Sequence, residues 1–203
     1  VSQDGYVKRV SLRSVTASSG PSGYKENDRS IGESECDLLD TLILILSDGS
    51  YAYIPIYEIN ESKYKDVGDH FSSLIKHDAN VKVISGYIVK DMESHVSIMI
   101  VSKKGYIKQT MLQQFQLTRY SKTSTAMNLT KQDEVVASFM IKEPTEVAVM
   151  TKMGYVVIYN SNQVPISSTK ARGVIAINLT SKDEVVDAIA LDAKDEYLLI
   201  VTH

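Results

Sequence analysis

The sequence predicts an all-β protein made of repeated four-stranded units, a propeller-like architecture, and three observations lead to this fold class. A short stretch centred on glycine occurs four times, as VSQDGYVKRV, LSDGSYAYIP, VSKKGYIKQT and MTKMGYVVIY. Its glycines, Gly5, Gly49, Gly105 and Gly154, recur about every 50 residues, a period typical of propeller blades. Between them lie apolar, β-branched runs of strand length, separated by turn residues.

The fourth repeat shows how each unit divides into strands. The segments EVVASFMI, EVAVMT, YVVIYN and VIAINL are rich in β-branched and apolar residues, and KMGY forms a turn between the second and the third. Four such consecutive strands predict one blade. The last two repeats also share AMNLTKQDEVVASFMI, from Ala126, and AINLTSKDEVVDAIAL, from Ala176. We predict that glycine serves the turn because it tolerates positive φ, and that the following Tyr6, Tyr106 and Tyr155 are packing residues.

The stretch KYKDVGDHFSSLI is the one segment with helical character. It falls in the longest repeat and contains Gly68, so we interpret it as an irregular insertion. We predict one domain, residues 1–203, with repeats at approximately 1–46, 47–100, 101–148 and 149–203, the first and last of them incomplete. The chain begins without Met and inside a repeat, which suggests a piece of a longer protein.

Composition excludes several classes of protein. With 43% hydrophobic residues, 23% charged residues and a net charge of −3, the chain is expected to fold rather than stay disordered. No apolar run reaches the roughly 18–20 residues of a membrane span, so no span is predicted. The single cysteine, Cys36, excludes an internal disulfide and fits a reducing cytoplasm.

Cations recur in the loops between the third and fourth strands of each repeat. These loops span residues 12–29, 59–68, 116–125 and 163–173, and each holds at least two cations, whereas carboxylates gather in KQDEVV, SKDEVV and DAKDEY. A single loop cation is ordinarily just solvated. Recurrence at equivalent positions, however, predicts a curved basic rim that can follow the phosphates of a bent DNA duplex without reading bases. The residues predicted to bind DNA are Lys8, Arg9, Arg13, Lys63, Lys65, Lys108, Arg119, Lys122, Lys170 and Arg172.

The sequence shows no catalytic or metal-binding constellation. Its histidines, His70, His77, His95 and His203, lack metal-ligand spacing, and there is no phosphate-binding loop or nucleophile-elbow motif. Adjacent carboxylates, as in KQDEVV, would point to opposite faces of a strand, so we interpret them as solvated turns. The prediction is therefore no catalytic residue and no metal site in this chain.

The ordered set of motifs resembles a known family. The pattern G-Y-[VI]-K-[RQ], a basic loop, A-[IM]-N-L and D-E-V-V resembles the C-terminal domain of bacterial type IIA topoisomerase A subunits, over essentially the whole chain. DGYVKRVSLRS together with YKDVGDHFSSLI looks most like topoisomerase IV. The gyrase box Q-R-R-G-G-K-G is absent, and STKARGV, with Lys170, Arg172 and Gly173, is a degenerate copy of it. The resemblance therefore implies topoisomerase IV and modest DNA bending rather than gyrase and full wrapping.

The resemblance also implies a fold, an activity, cofactors and partners that the residues alone do not indicate. It implies a β-pinwheel whose blades exchange strands and whose basic rim binds double-stranded DNA, within a cytoplasmic, nucleoid-associated enzyme that decatenates and relaxes DNA by ATP-dependent strand passage. ATP and Mg²⁺ would be used by other domains, through which the B subunit would also join a heterotetramer, so no cofactor is expected in this fragment. The family cleaves DNA with a tyrosine that follows an arginine. Arg119 and Tyr120 imitate that pair but lie in a rim loop, so we expect no catalysis there.

The sequence leaves two alternatives open. One is a gyrase A wrapping domain, and the other is a kelch-like or WD40-like propeller that docks proteins. A WD40 array should contain Trp-Asp dipeptides, but the chain has no tryptophan, and none of its four turns carries the paired glycines of kelch repeats.

Overall fold

The computed structural model describes residues 1–77, 81–92 and 95–191, and within them the fold is almost entirely β. A five-residue helix, α1 (Leu12–Thr16), and short 3₁₀ turns are the only helical elements among these residues. The strands are β1 Tyr6–Val7, β2 Thr41–Leu46, β3 Ser50–Pro55, β4 Asp69–His70, β5 Val83–Val89, β6 Ser97–Ser102, β7 Tyr106–Met111, β8 Ser124–Thr125, β9 Val135–Ile141, β10 Glu146–Thr151, β11 Val156–Asn160, β12 Val174–Ile175 and β13 Val185–Leu191.

The strands form antiparallel sheets that exchange strands along the chain. Two sheets have four strands, in the orders β5-β2-β3-β8 and β12-β7-β6-β9, and a third has the order β11-β10-β13. Each four-stranded sheet receives one edge strand from the repeat that follows it. This strand is β8 in the first sheet and β12 in the second. A fourth sheet pairs β1 with β4 in the same way. The propeller-like, strand-exchanging all-β fold is confirmed.

The assignment of four consecutive strands to one blade was wrong. In the fourth repeat, β10 and β11 form one sheet, whereas the flanking β9 and β12 belong to the preceding sheet. Hydrophobic periodicity defines which faces of a strand are buried but not which hairpin it joins.

The core lies between adjacent sheets, so the central strands are buried on both faces. All six residues of β2 are buried; Leu42, Leu44 and Leu46 pack toward β1 and β4, and Ile43 and Ile45 pack toward the β6–β7 sheet. This two-sided burial explains why TLILIL is a continuous apolar run rather than an alternating one.

The repeated glycines build the hairpin turns as predicted. Gly5, Gly49, Gly105 and Gly154 have φ between 81° and 94°, a left-handed conformation that favours glycine. At Gly105 the constraint is doubled, because a Cβ atom would lie 2.9 Å from the carbonyl oxygen of Ile177.

The tyrosines after the turns pack unequally. Tyr106 packs against the core between the two four-stranded sheets, and Tyr6 makes an edge contact with His70, their ring centroids 5.4 Å apart. The prediction was wrong for Tyr155, which is 60% exposed. Tyr155 directly precedes β11, which pairs with β10 alone among the described strands, so the strand that covers the equivalent tyrosines has no counterpart among the described residues.

The interpretation of KYKDVGDHFSSLI as an insertion was also wrong. The segment contains β4 and a 3₁₀ turn at Phe71–Ser73. Gly68, at φ 89°, stands directly before β4 just as Gly173, at φ 95°, stands directly before β12. The segment is therefore a regular part of the repeat, the part that supplies the exchanged strand.

Gly105→Val and Gly154→Val form a matched pair that tests the role of the exchanged strand. Both glycines have positive φ, but only Gly105 is crowded, since no described atom lies within 4 Å of a Cβ at Gly154. Backbone strain should cost each variant about 1–3 kcal/mol of unfolding free energy. Gly105→Val should lose more, because its side chain must also displace the Ile177 backbone. Urea unfolding measures both, and equal losses would contradict this account.

A candidate nucleic-acid interface

The basic loops lie at one edge of the sheets. Loops 59–68 and 163–173 lead into β4 and β12, and loop 116–125 ends in β8. These are the short edge strands that each sheet receives from the next repeat. At the opposite edges, β5 and β13 both contact β9. The loops therefore recur at the side of the sheets that faces away from these packed strands.

Seven of the predicted DNA-binding residues lie on these loops or on α1 with exposed side chains. Exposure leaves their charges free to attract a polyanion, and their recurrence places at least one such charge on each loop. They are Arg13, Lys63, Lys65, Arg119, Lys122, Lys170 and Arg172.

Lys108 does not belong to this exposed set. Its side chain is 0% exposed, and its ammonium donates to the carbonyl oxygens of Ser168 (2.6 Å), Ala126 (2.8 Å), Thr169 (3.0 Å) and Ala171 (3.4 Å). The prediction that Lys108 contacts DNA was wrong, because its charge faces the carbonyls of the loop and not the solvent.

Lys8 makes the equivalent contacts in the first repeat. Its ammonium donates to the carbonyl oxygens of Asp66 (2.7 Å), Gly23 (2.9 Å) and Tyr64 (2.9 Å). These three bonds use all the protons of an ammonium, so none is left for a phosphate. Burial also lowers the pKa of Lys8 below its usual value. We therefore remove Lys8 from the set of candidate contacts.

Arg9 is partly committed to its own loop. Its Nε donates to the carbonyl oxygen of Ile59 at 3.1 Å, and its guanidinium lies 3.7 Å from the Glu61 carboxylate. Arg9 thus anchors the start of loop 59–68, and Glu61 offsets part of its charge.

Sequence reasoning missed a tyrosine cluster beside Arg119. The hydroxyls of Tyr57 and Tyr120 lie 3.1 Å apart, and the Tyr120 ring also lies 6.0 Å from that of Tyr53, centroid to centroid. Tyr57 is 63 residues away from Tyr120 in sequence, so no local motif could have indicated it. The hydrogen bond with Tyr57 raises the pKa of Tyr120. A nucleophile needs the opposite shift, so the cluster offers hydroxyl donors rather than an activated oxygen.

The adjacent carboxylates cap hairpin turns. Asp133 accepts hydrogen bonds from the Ser102 hydroxyl (2.8 Å) and the Lys104 amide (2.9 Å). The neighbouring Glu134 pairs with Lys103 at 3.0 Å. The Glu134 side chain is 51% exposed, in keeping with a solvated position, and the two carboxylates in addition hold the turn of the preceding hairpin. The motif DAKDEY lies outside the described residues.

The same arrangement recurs one repeat later. Asp183 accepts from the Met153 amide at 3.0 Å, and Glu184 lies 3.2 Å from Lys152 and 3.3 Å from Lys103. The hydrogen bond from Lys152 lowers the pKa of Glu184, with Lys103 acting in the same direction. Acidic groups and the cations paired with them are thus gathered at the hairpin turns.

In the part of the chain that the structure describes, no group of three or more His, Cys, Asp or Glu side chains could hold a metal ion. Both ring nitrogens of His70 have hydrogen-bond partners, the Asp4 carbonyl oxygen and the Ser72 hydroxyl. His203 lies outside the described residues. No helix in the described ranges is long and apolar enough to cross a membrane.

The Lys108→Met variant tests whether the buried ammonium titrates in the folded protein. Burial lowers the pKa of Lys108 from 10.5 to about 8. Between these pH values the unfolded chain would bind a proton that the folded chain does not, so the free energy of unfolding should rise with pH. That rise should be larger in the parent chain than in Lys108→Met. Urea unfolding at a series of pH values measures it, and parallel profiles would mean that the four carbonyls keep the ammonium charged.

Comparisons with family models, with related sequences and with solved structures all indicate the same family. The family model "DNA gyrase C-terminal domain, beta-propeller" matches residues 1–23, 97–142 and 145–192, more than half of the chain. The A subunit of DNA topoisomerase 4 from Bacillus subtilis is 32% identical over 98% of this chain, and that from Staphylococcus epidermidis is 28% identical over the same share. In each case the match spans 25% of the relative, so the chain has about a quarter of the length of these relatives.

Solved structures match the fold closely. The C-terminal domain of DNA topoisomerase IV superposes with a TM-score of 0.91 at 33% identity, covering 96% of this chain and 61% of that chain. The DNA gyrase A C-terminal domain gives a TM-score of 0.65 at 19% identity, covering 94% of this chain and 63% of that one, a likeness of fold alone. With the family model, the strand-exchanging sheets and the recurrent turn motif in agreement, the chain belongs to the gyrase A C-terminal β-propeller family, and its relatives are the C-terminal domains of topoisomerase IV A subunits.

Proposed function

We propose that this chain is a DNA-binding and DNA-bending accessory domain of topoisomerase IV, which holds one duplex segment on its exposed basic loops. The observation that carries the proposal is the recurrence of exposed lysine and arginine on loops that occupy equivalent places beside successive sheets. The likeness to topoisomerase IV A subunits supports it.

The mode of binding follows from where the charges lie. The chain as a whole has a net charge of −3, so attraction to DNA must be local. Carboxylates at the hairpin turns are paired with Lys103 and Lys152, whereas the loop cations are exposed. A row of such cations neutralises phosphates one by one and carries no information about base sequence.

The activity of the whole enzyme is part of the proposal. We infer that the parent protein is the A subunit of an ATP-dependent type II topoisomerase of the bacterial cytoplasm, acting at the nucleoid. The B subunit would assemble with its other domains, and ATP and Mg²⁺ would be used outside this chain. The chain would influence which DNA crossing is passed through the break. The absence of Q-R-R-G-G-K-G favours bending over the gyrase type of wrapping.

Salt dependence of DNA binding tests the proposal and separates it from a protein-docking propeller. If about five cations contact phosphates, the slope of log affinity against log salt should be about −4 to −5, for a plain duplex of any sequence. Arg172→Ala should reduce the slope by about 1. Lys152→Ala is the matched control, because it removes an exposed cation at a hairpin turn and should leave the slope unchanged. A slope near zero in the parent chain would refute the proposal.

Tyr120→Phe separates this rim loop from the chemistry of DNA cleavage. The change removes the hydroxyl that bonds Tyr57 but keeps the ring beside Tyr53. In the complete enzyme we expect covalent DNA attachment to persist at the parental level, since the attacking tyrosine would lie in another domain. Denaturing electrophoresis of trapped cleavage complexes measures this. Loss of covalent attachment with an unchanged melting temperature would contradict the assignment of loop 116–125 to the rim.

A further inference from the structure

Two lysines lie beneath two of the basic loops in the same geometry. The carbonyls that receive the Lys108 ammonium include those of Thr169 and Ala171, the residues on either side of exposed Lys170. We use the term carbonyl cage for the acceptors around each of the two ammonium groups: Ala126, Ser168, Thr169 and Ala171 around Lys108, and Gly23, Tyr64 and Asp66 around Lys8.

The second cage flanks an exposed lysine in the same way. The carbonyls of Tyr64 and Asp66 receive the Lys8 ammonium, and exposed Lys65 stands between them. In both loops, therefore, the two carbonyls that flank a lysine face inward to a cage while the lysine side chain between them is exposed.

A glycine completes each cage. A Cβ atom at Gly173 would lie 2.2 Å from the Ile107 carbonyl oxygen and 2.8 Å from the Lys108 Cβ. At Gly68 the corresponding distances, to the Val7 carbonyl oxygen and the Lys8 Cβ, would be 2.5 Å and 2.7 Å. Only glycine lets the loop backbone rest this closely on the lysine stem, so the lysine and the glycine form a pair.

Among the three loops that lead to an exchanged strand, loop 116–125 has neither member of the pair. Three residues after the turn glycine Gly49 stands Ala52, and Thr123 occupies the position before β8. Loop 116–125 is tied instead through its backbone to Lys76, whose amide donates to the Ser121 carbonyl oxygen at 3.0 Å. Of these three loops, two are caged and one is not, and the uncaged loop serves as an internal control.

We propose that Lys8 and Lys108 are positioning residues for nucleic-acid binding, each fixing the backbone on both sides of one phosphate-contacting lysine, Lys65 or Lys170. The proposal rests on the DNA-binding function proposed above and assigns the two caged lysines a part in it. An ammonium satisfies up to three carbonyls at once, so it orders a loop that makes few backbone bonds of its own. A loop ordered before binding loses less conformational entropy when it meets a phosphate.

A double-mutant cycle separates positioning from a general role in stability. If Lys108 acts through the loop that carries Lys170, the effects of changing the two residues are coupled rather than additive. If Lys108 only stabilises the fold, Lys170→Ala has the same effect on DNA affinity with or without it. Arg119, on the uncaged loop, should add its full effect in either background.

The experiment measures affinity for a plain DNA duplex at about 0.1 M salt, using the 203-residue chain. Loss of one phosphate contact there should weaken binding about five- to tenfold, which we expect for Lys170→Ala and for Arg119→Ala in the parent background. In the Lys108→Met background we expect less than about twofold for Lys170→Ala and an undiminished effect for Arg119→Ala. Full additivity of Lys108→Met and Lys170→Ala would overturn the positioning role.

Hydrogen exchange supplies a readout that does not depend on DNA. The Ser167 amide donates to the Gln109 carbonyl oxygen at 2.8 Å, and the Asn128 amide donates to that of Ala171 at 3.1 Å. Lys108→Met should speed exchange at both amides without affecting the Thr123 amide of the uncaged loop, which donates to Lys76. Unchanged exchange at Ser167 and Asn128 would overturn the proposal.

The Lys8 cage gives the same test should Lys108→Met fail to fold. The Lys8 cage is only partly buried, so water can replace the ammonium at its carbonyls and Lys8→Met should fold. Lys8→Met and Lys65→Ala then form the equivalent double-mutant cycle. Coupling supports the proposal and additivity overturns it.

A parent chain that does not bind duplex DNA at low salt would refute the proposed function itself. A parent chain that binds with additive variants would refute only the positioning role.

Discussion

The antiparallel pairing of a two-residue strand with the sheet of the preceding repeat is the constraint on which the rest of the structure depends. It is small, since β8 and β12 each contribute two paired residues. Each pairing nevertheless fixes the end of a long polar loop and brings the chain that follows it over the glycine turn of the receiving sheet. A Cβ atom at Gly49 would lie 2.8 Å from the Leu129 side chain, and one at Gly105 would lie 3.2 Å from that of Leu179. Because each loop is held by the neighbouring sheet, the rim is a property of adjacent repeats together and not of any one repeat.

The caged lysines, Lys8 and Lys108, show how such a loop can be held when it lacks regular backbone pairing. Burying an ammonium is costly unless its protons find acceptors, and loop carbonyls are costly to bury unless they find donors. At Lys108 the three protons of one ammonium are shared among four carbonyl oxygens, of which that of Ala171 is the most distant at 3.4 Å, so the two costs largely offset each other. Burial lowers the pKa of Lys108, while the carbonyls act in the opposite direction because they bond the charged form.

How far the sequence predicts this molecule depends on whether the determinant is local. The turn at Gly105 was predictable because positive φ is a property of one residue, and the strands were predictable from runs such as TLILIL. The partners of a strand were not, because pairing between β7 and β12 joins segments that are far apart in the chain. The burial of Lys108 depends on carbonyls about 60 residues away, so GYIKQT resembles an exposed basic turn. One signal was available, since lysine after the turn occurs with glycine before the exchanged strand in two repeats and neither occurs in the third.

The last described sheet shows what an exchanged strand contributes. β11 pairs with β10 on one side, and among the described strands it has no partner on the other. Its turn differs accordingly: Gly154 keeps the positive φ of the other turn glycines, but Tyr155 is 60% exposed and Ile158 is 50% exposed. The turn conformation is therefore set within the hairpin, whereas burial of the tyrosine after it requires the strand from the next repeat. The repeated motif determines the conformation of the hairpin turn by itself. The neighbouring repeat determines both whether that hairpin is buried and where the basic loops lie.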